Sequence, residues 1–286
     1  MKFRLIKGIK ERVLFLKQEF IAKMRKRLLG QYASGVIYET GNGIMSAPLE
    51  DLVIGKSLGF YGNWDANVIE ELMEIIHEND VIYILGTHIG TLLIPISNKC
   101  KRIVGYEANP DTLRYVNWNI QANGVQNASV FHYAIGDTTK KIKFLKSRIN
   151  TGGSKIKPIK NNFLYSYDNP ETVEVDMISL DNHIQLKKLP SPTCLILDIE
   201  GAEYFALKGM QKALVGVRFL YIEFVPHHLI NVADVSNEDF INLISPYFQK
   251  VQIMRMDKEI NIERSSDELI EFLNSRPLKT QFRFRY

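Results

Sequence analysis

From Val81 onward the chain alternates short apolar runs with segments of helical periodicity, and this alternation constrains the fold more than any other feature. Val81–Leu85 is apolar at every position, as a strand covered on both faces must be. Thr91–Ser97 reads as a helix, Arg102–Tyr106 as a second strand, and Asp111–Ala122 as a helix stopped by Asn123-Gly124. Ser129–His132, Leu195–Asp198 and Arg218–Phe224 are further strands, with a helix over Glu203–Met210. Residues 250–255 and 280–286 are expected to close the sheet as an antiparallel hairpin. Strands alternating with helices predict an α/β fold, doubly wound around a mostly parallel sheet.

Upstream, residues 1–30 form a separate extension and 31–286 the main domain, which opens with small strands and turns over 31–60 and a helix over 65–78. Residues 147–170 are polar and aperiodic, and read as a long loop. In the extension, Leu5, Ile9, Val13, Leu16, Phe20, Met24 and Leu28 recur at helical spacing. Ten basic side chains stand there against Glu11 and Glu19, so residues 1–29 carry +8 of a whole-chain net of +4 and the rest carries −4. That balance argues against a nucleic-acid-binding body. Residues 3–29 are expected either to dock on an anionic surface, the cytoplasmic leaflet of a membrane above all, or to pack on the domain or a second copy of the chain. No apolar run reaches a membrane span and no secretory leader is evident, so the protein is expected to be cytoplasmic. Cys100 and Cys194, in apolar contexts, fit a reducing compartment.

Ligands of an open parallel sheet lie beyond the carboxyl ends of its strands, where the strand order reverses. After the first strand comes Gly86-Thr87-His88-Ile89-Gly90. Glycines there let the backbone approach a ligand, although the same turn also serves a plain strand–helix junction. After the second strand, Glu107 follows Gly86 by 21 positions. An acid at that separation can accept both hydroxyls of a ribose, so the pair favours a nucleoside ligand over a solvated loop carboxylate. His132-Tyr133-Ala134 follows the third strand, where the base of such a ligand would lie, or else makes an aromatic rim. Asp198 and Glu200 are two apart at the end of a buried strand, where an extended chain points both to one side. Two carboxylates there are costly unless something uses them; the bland reading is that they cap the next helix. Glu203 reads as a helix-start charge. Glu223, in an apolar strand, and His227 just past it fall on the same sheet edge.

Taken in order, these motifs resemble the FkbM methyltransferase family over nearly the whole chain from about residue 36. Leu197-Asp198-Ile199-Glu200-Gly201-Ala202-Glu203, running on to Leu207-Lys208-Gly209, is the most specific stretch, similar to the family's Asp-Val-Glu-Gly-Ala-Glu followed by Leu-Lys-Gly. Val104–Pro110 resembles its Phe-Glu-Pro-Asn-Pro segment; Asn119–Gly124, Ala134–Asp137, Thr151–Ser154 and Gly62–Asp65 also fit. The resemblance implies a class I, Rossmann-like sheet of seven strands with an antiparallel final strand, and S-adenosylmethionine as methyl donor. It implies O-methylation of a hydroxyl on a sugar, glycan or small natural product. On that reading Gly86, Thr87, His88 and Gly90 hold the methionine portion, Glu107 with Ala108 and Asn109 the ribose, and His132, Tyr133 and Ala134 the adenine. Asp198 lies near the sulfonium and the acceptor, and Glu200 or His227 is the base. No metal is required, although magnesium on Asp198, Glu200 and Glu223 is another way to acidify a hydroxyl. The family's first glycine motif reads Asp-Val-Gly-Ala-Asn-x-Gly; here Ile84 replaces the acid and His88 the asparagine. That departure keeps a non-catalytic binding protein open as an alternative, beside a nucleotide-dependent oxidoreductase on a similar sheet.

Overall fold

The computed structural model describes residues 2–160, 165–254, 256, 258–275 and 280–286, and within the first helix the side chains of Val13 and of Leu16 onward. Residues 161–164 of the expected loop, Arg255 of the expected hairpin, and the Leu5 and Ile9 side chains of the apolar stripe lie outside the described residues.

The chain opens with α1 (Lys2–Leu29), a hairpin of β1 (Gly35–Thr40) and β2 (Gly43–Pro48), then α2 (Ile54–Tyr61) and α3 (Ala66–Ile75). Next come β3 (Val81–Leu85), α4 (Leu93–Ile96), β4 (Arg102–Tyr106), α5 (Pro110–Ala122) and β5 (Ala128–Phe131), close to the bounds the apolar runs predict. α5 starts where it does because the Asn109 side chain accepts from the Asp111 N–H, at 3.0 Å, and Pro110 fixes the first turn. Four short strands follow: β6 (Ala134–Ile135), β7 (Lys140–Lys146), β8 (Lys155–Ile156) and β9 (Glu171–Ile178). The rest is α6 (Leu180–Lys187), β10 (Cys194–Leu197), α7 (Glu203–Lys208), β11 (Phe219–Phe224), α8 (Pro226–His228), α9 (Asn237–Asn242), β12 (Lys250–Ile253), β13 (Lys258–Asn261), α10 (Asp267–Ser275) and β14 (Thr280–Arg285).

The main sheet runs β13-β12-β14-β11-β10-β3-β4-β5, with the five strands from β11 to β5 mutually parallel. Its strands bury both faces. Tyr83, Leu85, Leu195, Leu197, Leu220 and Ile222 point into one apolar cluster, and Ile82, Ile84, Cys194, Ile196, Phe219 and Tyr221 into the other. Cys100 and Cys194 are free and buried. The expected final antiparallel strand is present, since β14 pairs antiparallel with β11 from Phe219↔Arg285 to Phe224↔Thr280. The expected hairpin needs correction. β12 and β14 do pair, but β13 and α10 intervene between them, and β13 adds an eighth strand at the edge.

A second sheet, β6-β9-β7-β8, was not expected from the sequence. It takes up both ends of the stretch read as loop: Thr151–Gly153 is a single 3-10 turn, Lys155–Ile156 a strand, and Glu171–Ile178 pairs along the whole of β7. Phe144, Val175 and Met177 pack with Ala134 as its apolar cluster, and Phe144, Ala134 and Ile156 share one cleft with the turns that follow β3, β4 and β10. Among the described residues no helix is long and apolar enough to cross a membrane.

Candidate active site

The strand order reverses between β3 and β10: after β3 the chain builds outward through β4 and β5, then returns to place β10 on the other side. Neighbouring strands there send their continuations apart, which opens a crevice. A cleft of about 260 Å³ lies at this point, bounded by the turns after β3, β4 and β10, by Trp64 and Asp65, and by Phe144 and Ile156 of the second sheet.

Gly86 makes the first wall. Its φ is +89°, and a Cβ there would overlap the Asp198 carbonyl oxygen, so only glycine fits. The Gly86 and Thr87 N–H groups both donate to the Tyr106 carbonyl, at 2.9 and 3.0 Å, which bends the turn toward β4. Glu107 lies beneath this turn. Its two carboxylate oxygens accept from the N–H groups of Asn109 and His88, each at 2.7 Å. Burial raises its pKa, opposed by those N–H groups. The Thr112 hydroxyl and the Ala108 N–H also turn toward this carboxylate, which lines the cleft as a buried acceptor. The Thr87 hydroxyl is buried and has no partner among the described residues.

His88, with φ +50°, turns its ring onto the loop before β8. Nε2 lies 2.7 Å from the Thr151 hydroxyl, which itself lies 2.5 Å from Asp51 Oδ2. Thr151 has one proton and Asp51 takes it, so His88 is assigned as the Nε2–H tautomer. Burial pushes the His88 pKa down to about 4, against the opposing fields of Asp51 and Glu200. Asp51 is fully buried; its other oxygen accepts from the N–H groups of Val53, Ile54 and Gly55 and so starts α2. One acid therefore ties the N-terminal cap, the segment from α1 through α2, to the loop before β8 that lines the cleft.

At the far end, Asp198, Glu200 and Glu223 each offer an oxygen within 4.8 Å of the others. That is an oxygen set of the kind a hard divalent cation takes. The extended chain stops at Leu197, so Asp198 and Glu200 do not meet by strand alternation; a left-handed residue at Glu200, φ +55°, and Gly201, φ +105°, bring them round. Lys155 reaches Glu200 at 3.1 Å and His228 Nε2 at 3.2 Å, and lies over the Tyr165 ring. Glu203 is not a solvated helix-start charge. Its carboxylate accepts from the Ile199 and Gly201 N–H groups, bracing the turn, and burial raises its pKa to about 7.

Of the residues singled out in the sequence, Gly86, Thr87, His88, Glu107, Ala108, Tyr133, Ala134, Asp198, Glu200 and Glu223 line the cleft. Asn109 braces Glu107 and donates to Ser154 from behind the wall. Three lie away from it. Gly90 packs on Val116 and Ile94, His132 is exposed with its ring on the Ala108 carbonyl, and His227 stacks on Tyr165. The neighbouring His228 is the histidine that meets Glu200, at 3.4 Å. Sequence reading left out Asp51, Lys155 and Phe144, which hold or line the cleft, and gave Thr151 only as part of a stretch resembling the family, with no role in the site.

A family model described as the methyltransferase FkbM domain matches residues 85–273. The chain belongs to the FkbM methyltransferase family. Hexuronic acid methyltransferase AglP of Haloferax volcanii is 27% identical over 196 residues, 68% of this chain and 74% of that protein. Among solved structures, methyltransferase FkbM from Methylobacillus flagellatus matches 73% of this chain and 44% of its own, at 17% identity and a TM-score of 0.45. M. jannaschii TYW2, solved in complex with AdoMet, matches 88% and 85%, at 11% identity and a TM-score of 0.43. This membership sets aside the oxidoreductase alternative. It also gives the Ile84 departure a location: where the FkbM motif carries an acid, this chain carries a side chain 1% exposed in the core beside Ile82.

Proposed function

We propose that this FkbM-family methyltransferase uses S-adenosylmethionine to methylate a hydroxyl of a sugar or glycan, with a hexuronic acid as the first acceptor to test. The observation that carries the reading is Glu107, a buried carboxylate steadied by two backbone N–H groups beside a turn that admits only glycine, at the point where the sheet reverses. These residues fit the donor. Glu107 is a buried carboxylate acceptor on the cleft wall, the Gly86 backbone lines the same wall, and the buried Thr87 hydroxyl there has no partner among the described residues. Tyr133 and Ala134 would flank the adenine. The hexuronate acceptor is suggested by the similarity to AglP.

When bound, the donor supplies an electrophilic methyl group on a sulfonium. The chain's own part is alignment and proton removal. Asp198, against the Gly86 turn, orients the acceptor hydroxyl. Glu200, steadied by Lys155 and His228, takes its proton. His227, stacked on Tyr165 away from the cleft wall, does not serve as base. The test is transfer of labelled methyl to hexuronate-terminated and neutral oligosaccharides. Glu200→Gln is expected to slow turnover by about 10²- to 10⁴-fold while leaving donor affinity intact. Turnover equal to wild type would remove Glu200 as the base, and an intact protein that binds no donor would favour the non-catalytic alternative.

A further inference from the structure

α1 is attached to its domain by the wrong face for an ordinary amphipathic helix. The residues turned inward are Gln18, Ala22 and Arg25, on one side of the helix at i, i+4 and i+7. Ala22 is buried in a small cluster with Leu52 and Ile149. Arg25 donates to the Asp51 carbonyl and to the Tyr38 hydroxyl, and Glu19 pairs with Arg148 at 3.4 Å. The apolar stripe points away. Val13 is 59% exposed, Leu16 67%, Phe20 65% and Leu28 77%, and Met24 completes the same row. Lys17, Lys23 and Arg27 lie on or beside that row and are exposed as well. A soluble helix normally buries its apolar stripe and exposes its charges; this one exposes both on one side.

We propose that this face of α1 is a docking surface for an anionic lipid bilayer. Aliphatic and aromatic side chains standing out of a helix among lysines and arginines can enter the acyl boundary while the cations meet anionic headgroups. The charge decides between the two occupants an apolar stripe admits. A second copy of the helix would bring Lys17, Lys23 and Arg27 against their own counterparts, whereas an anionic membrane complements them. The placement also suits the enzyme. The inward face of α1 holds the Asp51 turn, and Asp51 is the acid that ties the cap to the cleft-lining loop through Thr151. Docking through the outward face leaves those contacts untouched.

The experiment is co-sedimentation of the full-length protein with vesicles of phosphatidylcholine alone and of phosphatidylcholine mixed with phosphatidylglycerol. Partition into the anionic vesicles is expected to be at least about tenfold stronger and to fall with added salt. The double variant Leu16→Ser, Phe20→Ser is expected to lose that partition, and each of Lys17→Gln, Lys23→Gln and Arg27→Gln to weaken it by about fivefold. All five side chains are exposed, so these variants should unfold at the wild-type temperature and bind S-adenosylhomocysteine as the wild type does, which separates this inference from the proposed chemistry. Equal partition into both vesicle types overturns the proposal. So does a stripe variant that partitions like the wild type, or one that converts a dimer to a monomer in the ultracentrifuge without affecting vesicle binding, since the occupant would then be a second copy.

Discussion

Glu203 opens α7, but its carboxylate turns back onto the chain that leads into the helix and braces the turn carrying Asp198 and Glu200. Its acidity has a thermodynamic consequence. The ordinary carboxyl ionises near 4.5 and the folded one near 7, because burial and then the charges of Glu200 and Glu223 disfavour the anion. The folded state therefore holds the proton longer. The associated stability is complete below about 4.5 and is lost as pH rises through 7, a change on the order of 1–3 kcal/mol. Thermal melts of wild type and Glu203→Gln across this range should show the difference between them shift in favour of the variant as pH rises. Parallel curves would mean that Glu203 does not hold its proton in the fold. Little of this was legible beforehand. An acid two residues past a glycine looks like a helix-start charge, and only the left-handed turn at Glu200 reveals where it points. Asp51 was less legible still. Its partner Thr151 lies 100 residues away, and nothing local marks it as buried.

At the scale of elements, the loop before β8 and the N-terminal cap behave as one unit because Thr151 joins them. Thr151→Val removes the hydroxyl shared by Asp51 and His88 and leaves Asp51 Oδ2 with only the Thr151 N–H from that loop. The expected cost is about 1–3 kcal/mol, with faster amide hydrogen exchange across residues 150–156 than in β3 or β10. Unchanged protection there would show that the loop is held by other contacts. The second sheet was missed because β7, Lys-Lys-Ile-Lys-Phe-Leu-Lys, carries four lysines and only a short apolar alternation. The signal was present in its partner: Val173, Val175 and Met177 alternate with Glu174 and Asp176 along β9, a period of two. Glycines, asparagines and lysines before that strand obscured where the loop ended. By contrast β3, β4 and α5 were read closely, because burial on both faces and a proline–asparagine start leave few alternatives.

Across the whole molecule, stability should be concentrated in the doubly covered sheet and nearly absent from the outward face of α1. Ile222 is fully buried in β11, and Ile222→Ala is expected to cost about 2–5 kcal/mol in denaturant unfolding. Leu16→Ala, on a side chain 67% exposed, should change stability by no more than about 0.5 kcal/mol. Comparable losses from the two would mean that α1 packs on something within the chain after all. The fold was legible at this scale because alternating strands and helices leave few topologies, and because ligands collect where the strand order turns back. The cleft's acids came from three strand ends far apart in sequence; spacing pointed to Glu107 and strand-end position to Asp198, both of which line the cleft, whereas His132 and His227, read from the same edge, lie outside its lining.

The most direct measurement is calorimetric titration of S-adenosylhomocysteine into wild type and Glu107→Ala. Glu107 is held by two backbone N–H groups at the switch point and should accept the ribose hydroxyls, so its loss should remove charge-assisted bonds. The expected result is saturable binding by the wild type and affinity roughly 10- to 100-fold weaker in the variant, with both proteins folded. Equal affinities would contradict the ribose site, and no binding by a folded wild type would contradict the cofactor site altogether.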